Sequence, residues 1–486
     1  MSLSQILIAF SVALLYRVTA LVISSQSNAS RPEWGRTAFL FGASTLVVYW
    51  FQPSLPIRGL DYWLPTLTLV LTTLCWAAVT PPEARSLRAN IPALFGLIGA
   101  AVLVTLTRIL DLPAGLLSIA PPALGEALPS LIILGVIVII SMRSRRSFIG
   151  MMIALLIALF FLLKAPILTE AISMGLRIAN GQNTTGASAL DIRWLGFSYL
   201  AFRLIHTLRD RQSGRLPPAT LAEFLIYVVF FPGFSSGPID RLERFLKDLR
   251  SPIALNIVEG GEAVRRLLLG LFKKFVLADT LAIIALNPQI AVQIIRPGWL
   301  WIMLYAYALQ IYFDFSGYTD IALGTARVLG IRLPENFNNP YGRTNLTLFW
   351  NNWHITLTQW VRAYFFNPLT RWLKVNKPAL SPLMVMAIGQ IGTMLLIGLW
   401  HGITWNFILW GLWHGVGLFA QNRWSDWAKH SLRSPLGRVK SVWGMRLLDF
   451  GGWFLTFHYV AFGWVWFCLP DVSSALRVFS GLLGLG

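Results

Sequence analysis

Charge is scarce in this 486-residue chain: Asp and Glu number 21, Lys and Arg 40, and charged residues make up only 13%. A soluble domain carries about twice that share, so a water-facing globular fold is excluded. Cysteine is scarcer still. Cys75 and Cys468 are the only two, both inside apolar runs, so neither a disulfide framework nor a zinc cluster can be built from them. No glycine-rich phosphate loop, His-Glu-x-x-His or Cys-x-x-Cys occurs, which removes the common nucleotidase, zincin and redox signatures. No metal and no bound cofactor is expected.

Apolar residues fill the space that charge leaves, at 56% with mean hydropathy +0.62. Apolar segments fall near 3–24, 37–52, 63–80, 92–111, 129–142 and 148–165, and again near 194–208, 220–236, 265–286 and 298–313. Others follow near 317–330, 348–366, 382–400, 403–421, 446–468 and 472–485. Several later ones are short or broken by Gly and Pro, so about 11 to 14 true spans are expected, with re-entrant or interfacial pieces among them. The expected class is an all-α polytopic integral membrane protein. The run Leu3 to Ile23 lacks a basic leader and contains Arg17, so it reads as a retained first helix.

The formal charge of +19 sits in short connectors such as Arg143-Ser144-Arg145-Arg146, Arg241 to Arg250 and Arg433 to Lys440. Basic residues so placed bias their loops to the cytoplasm and meet anionic headgroups, so the expected partner is the lipid bilayer and not nucleic acid. The 21 Trp and 31 Phe suit interfacial belts and aromatic-packed helices. Residues 1–145 read as plain lipid-facing spans, 146–470 as the working region and 471–486 as a C-terminal apolar segment. From Lys164 onward, polar residues enter apolar surroundings. Polar loops are expected at 80–90 and 178–192.

Four constellations could carry chemistry. In Trp350-Asn351-Asn352-Trp353-His354 to Arg362, helical spacing places Asn351, His354, Thr358 and Arg362 on one face. That stripe faces either a hydrated interior or the headgroups. The pentapeptide Gly398-Leu399-Trp400-His401-Gly402 recurs as Gly411-Leu412-Trp413-His414-Gly415. His401 ends a strongly apolar run, where burial disfavours imidazolium and leaves the neutral ring that a general base needs. Packing against a neighbouring helix is the competing role, and it is the stronger one for His414, 13 residues on. Tyr312 to Asp320 carries Asp314, Ser316 and Asp320, with Ser316-Gly317 read as a break. Its acids suit a proton relay, a cation site or structural ion pairs. Phe230 to Arg241 is too rich in Pro and Gly to continue a helix and must turn or re-enter.

Taken in order, these segments resemble the membrane-bound O-acyltransferase family, in its bacterial branch that acylates cell-surface polymers (alginate O-acetylation, teichoic acid D-alanylation). The likeness runs from about Lys164 to Phe467, more than half the chain. Gly196-Phe197-Ser198-Tyr199, Phe231-Pro232 to Ile239 and Gly270-Leu271-Phe272-Lys273-Lys274 to Asp279 are similar to family segments. The most specific stretch joins Tyr312 to Asp320, Pro334-Glu335-Asn336-Phe337-Asn338-Asn339-Pro340-Tyr341, Phe349-Trp350-Asn351-Asn352-Trp353-His354 and Leu399-Trp400-His401-Gly402. Residues 1–145 do not resemble the family's usual N-terminal helices, and Leu200-Ala201-Phe202 departs from its aromatic-threonine-phenylalanine pattern.

The resemblance implies a ring of tilted helices around a funnel, faced by two histidines that map onto His354 and His401. It implies an acyl thioester donor such as acyl-CoA on the cytoplasmic side, a hydroxyl acceptor (polysaccharide or lipid-linked) and, commonly, an extracytoplasmic acyltransferase partner. His401 is then the expected base. His354, Asn351, the Trp400 indole and, more weakly, Arg362 are oxyanion or substrate contacts, and Asp314, Ser316 and Asp320 line the substrate path. Such a protein lies in the cell membrane, as a multi-pass protein of a bacterial inner membrane. Two other readings compete: a proton or solute transporter, against which stands the lack of an internal repeat longer than the pentapeptide, and a non-catalytic subunit of a larger membrane complex.

Overall fold

The computed structural model describes residues 3–26, 33–109, 119–144, 148–291, 293, 296–431 and 442–485. Arg145, Arg146, the basic segment 433–440 and the expected boundary at 145/146 lie outside them. All regular elements among the described residues are helices. The chain divides into two compact units, residues 1–267 with 321–334 and residues 268–320 with 335–486.

The first unit opens with α1 (Leu3–Gln26), α2 (Glu33–Phe51), α3 (Leu60–Val79), α4 (Leu87–Leu106) and α5 (Leu124–Arg143). It continues with α6 (Ile149–Lys164), α7 (Pro166–Ala179), α8 (Phe197–Gln212), α9 (Leu221–Val228), α10 (Leu242–Arg250) and most of α11 (Ile257–Leu271). Its centre is α3, which packs against α2, α5, α6, α8 and α9. Residues 1–145 are therefore not all lipid-facing: Asp61, Thr66, Thr68, Thr72 and Thr73 of α3 are buried. A polar row survives there because each hydroxyl is satisfied inside its own helix. Thr66, Thr68, Thr72 and Thr73 donate to the carbonyls of Tyr62, Leu64, Thr68 and Leu69, four residues back. Composition could not distinguish this helix from a lipid-facing one, because threonines that bond within their own helix are compatible with either place.

Between α6 and α7 the chain bends by 91°. Pro166 has no N–H to extend α6 and biases Ala165 toward extended geometry, so α7 starts afresh. The Pro-Gly segment after α9 turns as expected, through a 3-10 element at Phe231–Gly233. Arg203 of α8, almost fully buried, holds it by donating to the carbonyls of Val228, Gly233 and Pro238. Gly233-Phe234-Ser235-Ser236-Gly237 carries the Gly-x-Ser-x-Gly spacing of a serine-hydrolase elbow. It lies in this turn with no strand before it, which is not the context that chemistry requires.

The second unit holds the π-helical stretch Phe272–Ala278, α12 (Asp279–Ala282), α13 (Pro288–Ala291) and the greater part of α14 (Pro297–Val328). Then follow α15 (Leu346–Asn352), α16 (Ile355–Val361), a second π-helical stretch at Arg362–Phe366 and α17 (Asn367–Asn376). The unit closes with α18 (Pro382–His401), α19 (Trp405–Ser431), α20 (Val442–Cys468) and α21 (Val472–Leu482). Its tightest pairing is the α18–α19 hairpin. Gly398 makes it possible: a Cβ there would sit 2.2 Å from the Phe407 carbonyl oxygen. Small residues at such seams let helix backbones approach where lipid supplies no hydrophobic drive.

Among the described residues four helical stretches, Leu60–Val79, Arg88–Leu106, Leu124–Arg143 and Pro382–His401, are each long and apolar enough to cross a bilayer. The bent α6–α7 pair would add a fifth as one broken span. That is fewer than the 11 to 14 read from apolar segments. The difference lies in helices such as α14, α19 and α20, which are long but carry Asp, Lys or Arg, and in short ones such as α8 and α9.

Candidate active site around Trp400

The stretch 350–362 is not the single helix its spacing suggests. It breaks at His354, which adopts a left-handed conformation with φ 43° and ψ 55° and starts α16. A non-glycine residue held there costs about 1–2 kcal/mol, so the surroundings must impose it. They do so through an antiparallel bridge between Phe337 and Trp353. Asn338 N–H donates to the Asn352 carbonyl at 3.1 Å, and Ile355 N–H donates to the Asn336 carbonyl at 2.9 Å. The Asn336 side chain, fully buried, accepts from the Thr356 hydroxyl at 2.6 Å. Tyr341 anchors the far end of this clamp: its hydroxyl donates to the Ala308 carbonyl on α14 and accepts from the Trp464 indole on α20.

The clamp presses the His354 ring into the interior, 4% exposed, edge-on to Phe315 of α14 with centroids 4.8 Å apart. On its other side lies Trp400, 6.1 Å between centroids. Trp400 in turn meets His401 at 4.4 Å. Thus the last two residues of α18 bring both expected histidines to one indole. His401 is partly exposed and is otherwise walled by Phe407, Trp410 and Phe467. Gly402 ends the helix directly after it.

The remaining sequence candidates divide. Asn351 and Arg362 meet across the break, the guanidinium donating to Asn351 Oδ1 at 2.7 Å, with Arg362 exposed on the second π stretch. Ser316 is buried on α14 beside Phe315. There is no break at Ser316-Gly317; α14 runs through it unbroken. Asp314 and Asp320 are each held by one of two adjacent lysines on the first π stretch, Asp314 by Lys274 and Asp320 by Lys273, the latter at 2.6 Å. π-helical turns are rare and recur at functional positions.

His414 lies one aromatic layer behind, fully buried between Trp350 and Trp410 with centroids at 5.1 and 4.9 Å. A Cβ at Gly463 of α20 would fall 2.5 Å from its Nε2, so that glycine makes room for the ring. Among the described residues no group of three or more His, Cys, Asp and Glu side chains could hold a metal ion. Sequence reasoning quoted Asn336 and Tyr341 but gave them no role, and it missed Arg203. The signal was available for Asn336, an amide in a polar run between apolar helices. Nothing local marked Arg203 as the organiser of a turn some thirty residues away.

Two histidines thus flank one tryptophan at the end of an apolar helix in an all-helical fold. The chain belongs to the membrane-bound O-acyltransferase family, whose model matches residues 149–448. The resemblance read from the motifs is borne out, and the protein is a multi-pass membrane protein. It is 35% identical over 242 residues to a teichoic acid D-alanyltransferase of Streptococcus thermophilus, covering 48% of this chain and 58% of that protein. To the probable alginate O-acetylase of Pseudomonas aeruginosa it is 32% identical over 294 residues, covering 60% and 52%. To a peptidoglycan O-acetyltransferase of Helicobacter pylori it is 33% identical over 307 residues, covering 57% and 52%. The chain spans about half the length of these curated relatives.

Proposed function

We propose that this protein is an O-acyltransferase. It moves an acyl group of the acetyl class from a cytoplasmic thioester such as acyl-CoA to a hydroxyl, in the service of cell-surface polysaccharide modification. The observation that carries this reading is the convergence of His354 and His401 on Trp400. His401, the more accessible ring, takes the proton of the acceptor hydroxyl. The oxygen attacks the thioester carbonyl, and the tetrahedral oxyanion collapses to the ester. The departing thiolate takes the proton back from the imidazolium as thiol. Donors aimed at the developing oxyanion supply much of the rate in such chemistry. The His354 ring and the Trp400 indole N–H are the nearest candidates, while Asn351 and Arg362, paired to each other, hold the approach of substrate. Asp314, Ser316 and Asp320 act through α14, which carries Phe315 against His354.

The acceptor is either the polysaccharide or its lipid-linked precursor, or an extracytoplasmic acyltransferase partner that receives the group and passes it on. The test is transfer of label from acyl-CoA in proteoliposomes, with His401→Ala beside the parent chain. Loss of roughly 10²–10⁴ in rate is expected for removal of a general base. A His401→Ala protein that inserts normally and keeps full transfer would end the assignment.

A further inference from the structure

A cavity of about 490 Å³ opens in the first unit where α3 ends and the α8–α9 connection passes. Its walls are largely apolar, with Trp76, Val79 and Phe224 among them, but its polar lining is basic. Arg250 and Glu223 neutralise each other through a two-point ion pair at 2.7 and 3.0 Å. The Arg211 guanidinium makes no hydrogen bond or ion pair among the described residues, and its charge reaches the like charge of Arg85. Among the described residues Arg85 itself donates only to carbonyls, those of Thr80, Ser141 and Ser144. The cavity lining therefore holds two arginines and one acid, Arg250 is taken up by Glu223, and the surplus positive charge sits on the wall at Arg211.

Deeper along α3 and α4 lies a second, almost wholly apolar cleft of about 100 Å³. It uses Leu69, Val70 and Thr73 of α3, which continue the helical stripe that ends at Trp76, and Leu94, Ile98 and Ala101 of α4, which continue the stripe that begins at Asn90. A basic cavity at a helix end and an apolar cleft one turn deeper on the same two helix faces match an amphiphile with an anionic head. The end concerned is the one with more arginines, which the positive-inside bias turns toward the cytoplasm and the anionic lipids of that leaflet.

We infer that the two cavities together bind an anionic phospholipid, its phosphate on Arg211 and an acyl chain in the cleft. The site uses neither histidine and stands apart from any acyl-transfer role. The experiment is native mass spectrometry and thermal unfolding of the full-length protein in detergent with phosphatidylglycerol, phosphatidylcholine or inorganic phosphate. Phosphatidylglycerol should bind and raise the midpoint. Arg211→Gln should weaken that binding roughly tenfold, the size of one lost charge-assisted hydrogen bond. Gly135→Leu should weaken it as well, since Gly135 lines the cleft and a Cβ there meets nothing within 4 Å. Arg88→Gln, an exposed arginine in the first turn of α4 that lines neither cavity, should leave it unchanged. Equal losses in Arg211→Gln and Arg88→Gln, or equal binding of phosphatidylcholine, would overturn the site. Inorganic phosphate matching phosphatidylglycerol, with Gly135→Leu silent, would overturn the lipid. If Arg211→Gln does not insert, Gly135→Leu decides alone.

Discussion

His354 combines two demands that a substitution can separate. Its ring is the group offered to chemistry, while its backbone occupies a left-handed turn that only glycine adopts without strain. Replacing it by glycine removes the ring and relieves the backbone, whereas alanine removes the ring and keeps the strain. His354→Gly should therefore be more stable than His354→Ala by about 1 kcal/mol, read as a higher unfolding midpoint in detergent, with transfer lost in both. An alanine variant as stable as the glycine one would mean that the clamp does not impose the left-handed turn. The residue type of this site was legible in the motif Trp-Asn-Asn-Trp-His. Its backbone state was not, because the bridge that imposes it comes from Phe337, seventeen residues earlier, and local helical spacing is blind to such pairing.

At the level of elements, α14 and the first π stretch are joined by two ion pairs whose surroundings differ. The Asp320 carboxylate is 6% exposed and its partner Lys273 25%, while the Asp314 carboxylate is 52% exposed. Removing one member of a buried pair strands the other charge and typically costs about 3 kcal/mol or more, whereas a pair open to solvent is worth under about 1 kcal/mol. Asp320→Asn should thus lower the unfolding midpoint clearly more than Asp314→Asn. Equal midpoints would show that both lysines reach solvent and that the π stretch is not pinned by Asp320. Sequence reasoning left a relay, a cation site and structural pairing open for these acids. The alternation Lys273-Lys274 against Asp314 and Asp320 could not settle it, since register between two helices is a tertiary property. The same limit explains the break wrongly expected at Ser316-Gly317: a glycine in a helical pattern reads as punctuation, yet here it sits within an unbroken 32-residue helix.

For the molecule as a membrane protein, α3 serves as a ruler. Its 20 residues span roughly 30 Å, the thickness of the hydrocarbon core. At its start, Gln182 donates to the Pro56 carbonyl and accepts from Arg58 N–H, which places the 178–192 loop beside that end. At its finish, the Trp76 indole donates to the Ala219 carbonyl, and Arg85 ties Thr80 to the last turn of α5. Arg85, Arg88, Arg143, Arg209, Arg211 and Arg215 lie at or beside the second end, where the sequence adds Arg145 and Arg146 after α5, against Arg58, Arg108, Lys164, Arg177 and Arg193 at the first. That asymmetry assigns the second end to the cytoplasm. With Cys75 and Cys468 replaced by serine, a cysteine at exposed Thr185 should react with an impermeant maleimide in intact spheroplasts, and one at exposed Ser213 only after permeabilisation. The reverse pattern would invert the protein and remove the cytoplasmic leaflet from the proposed lipid site. Reaction of both from one side would show that α3 does not cross at all, although hydropathy alone had marked it as a span from the start.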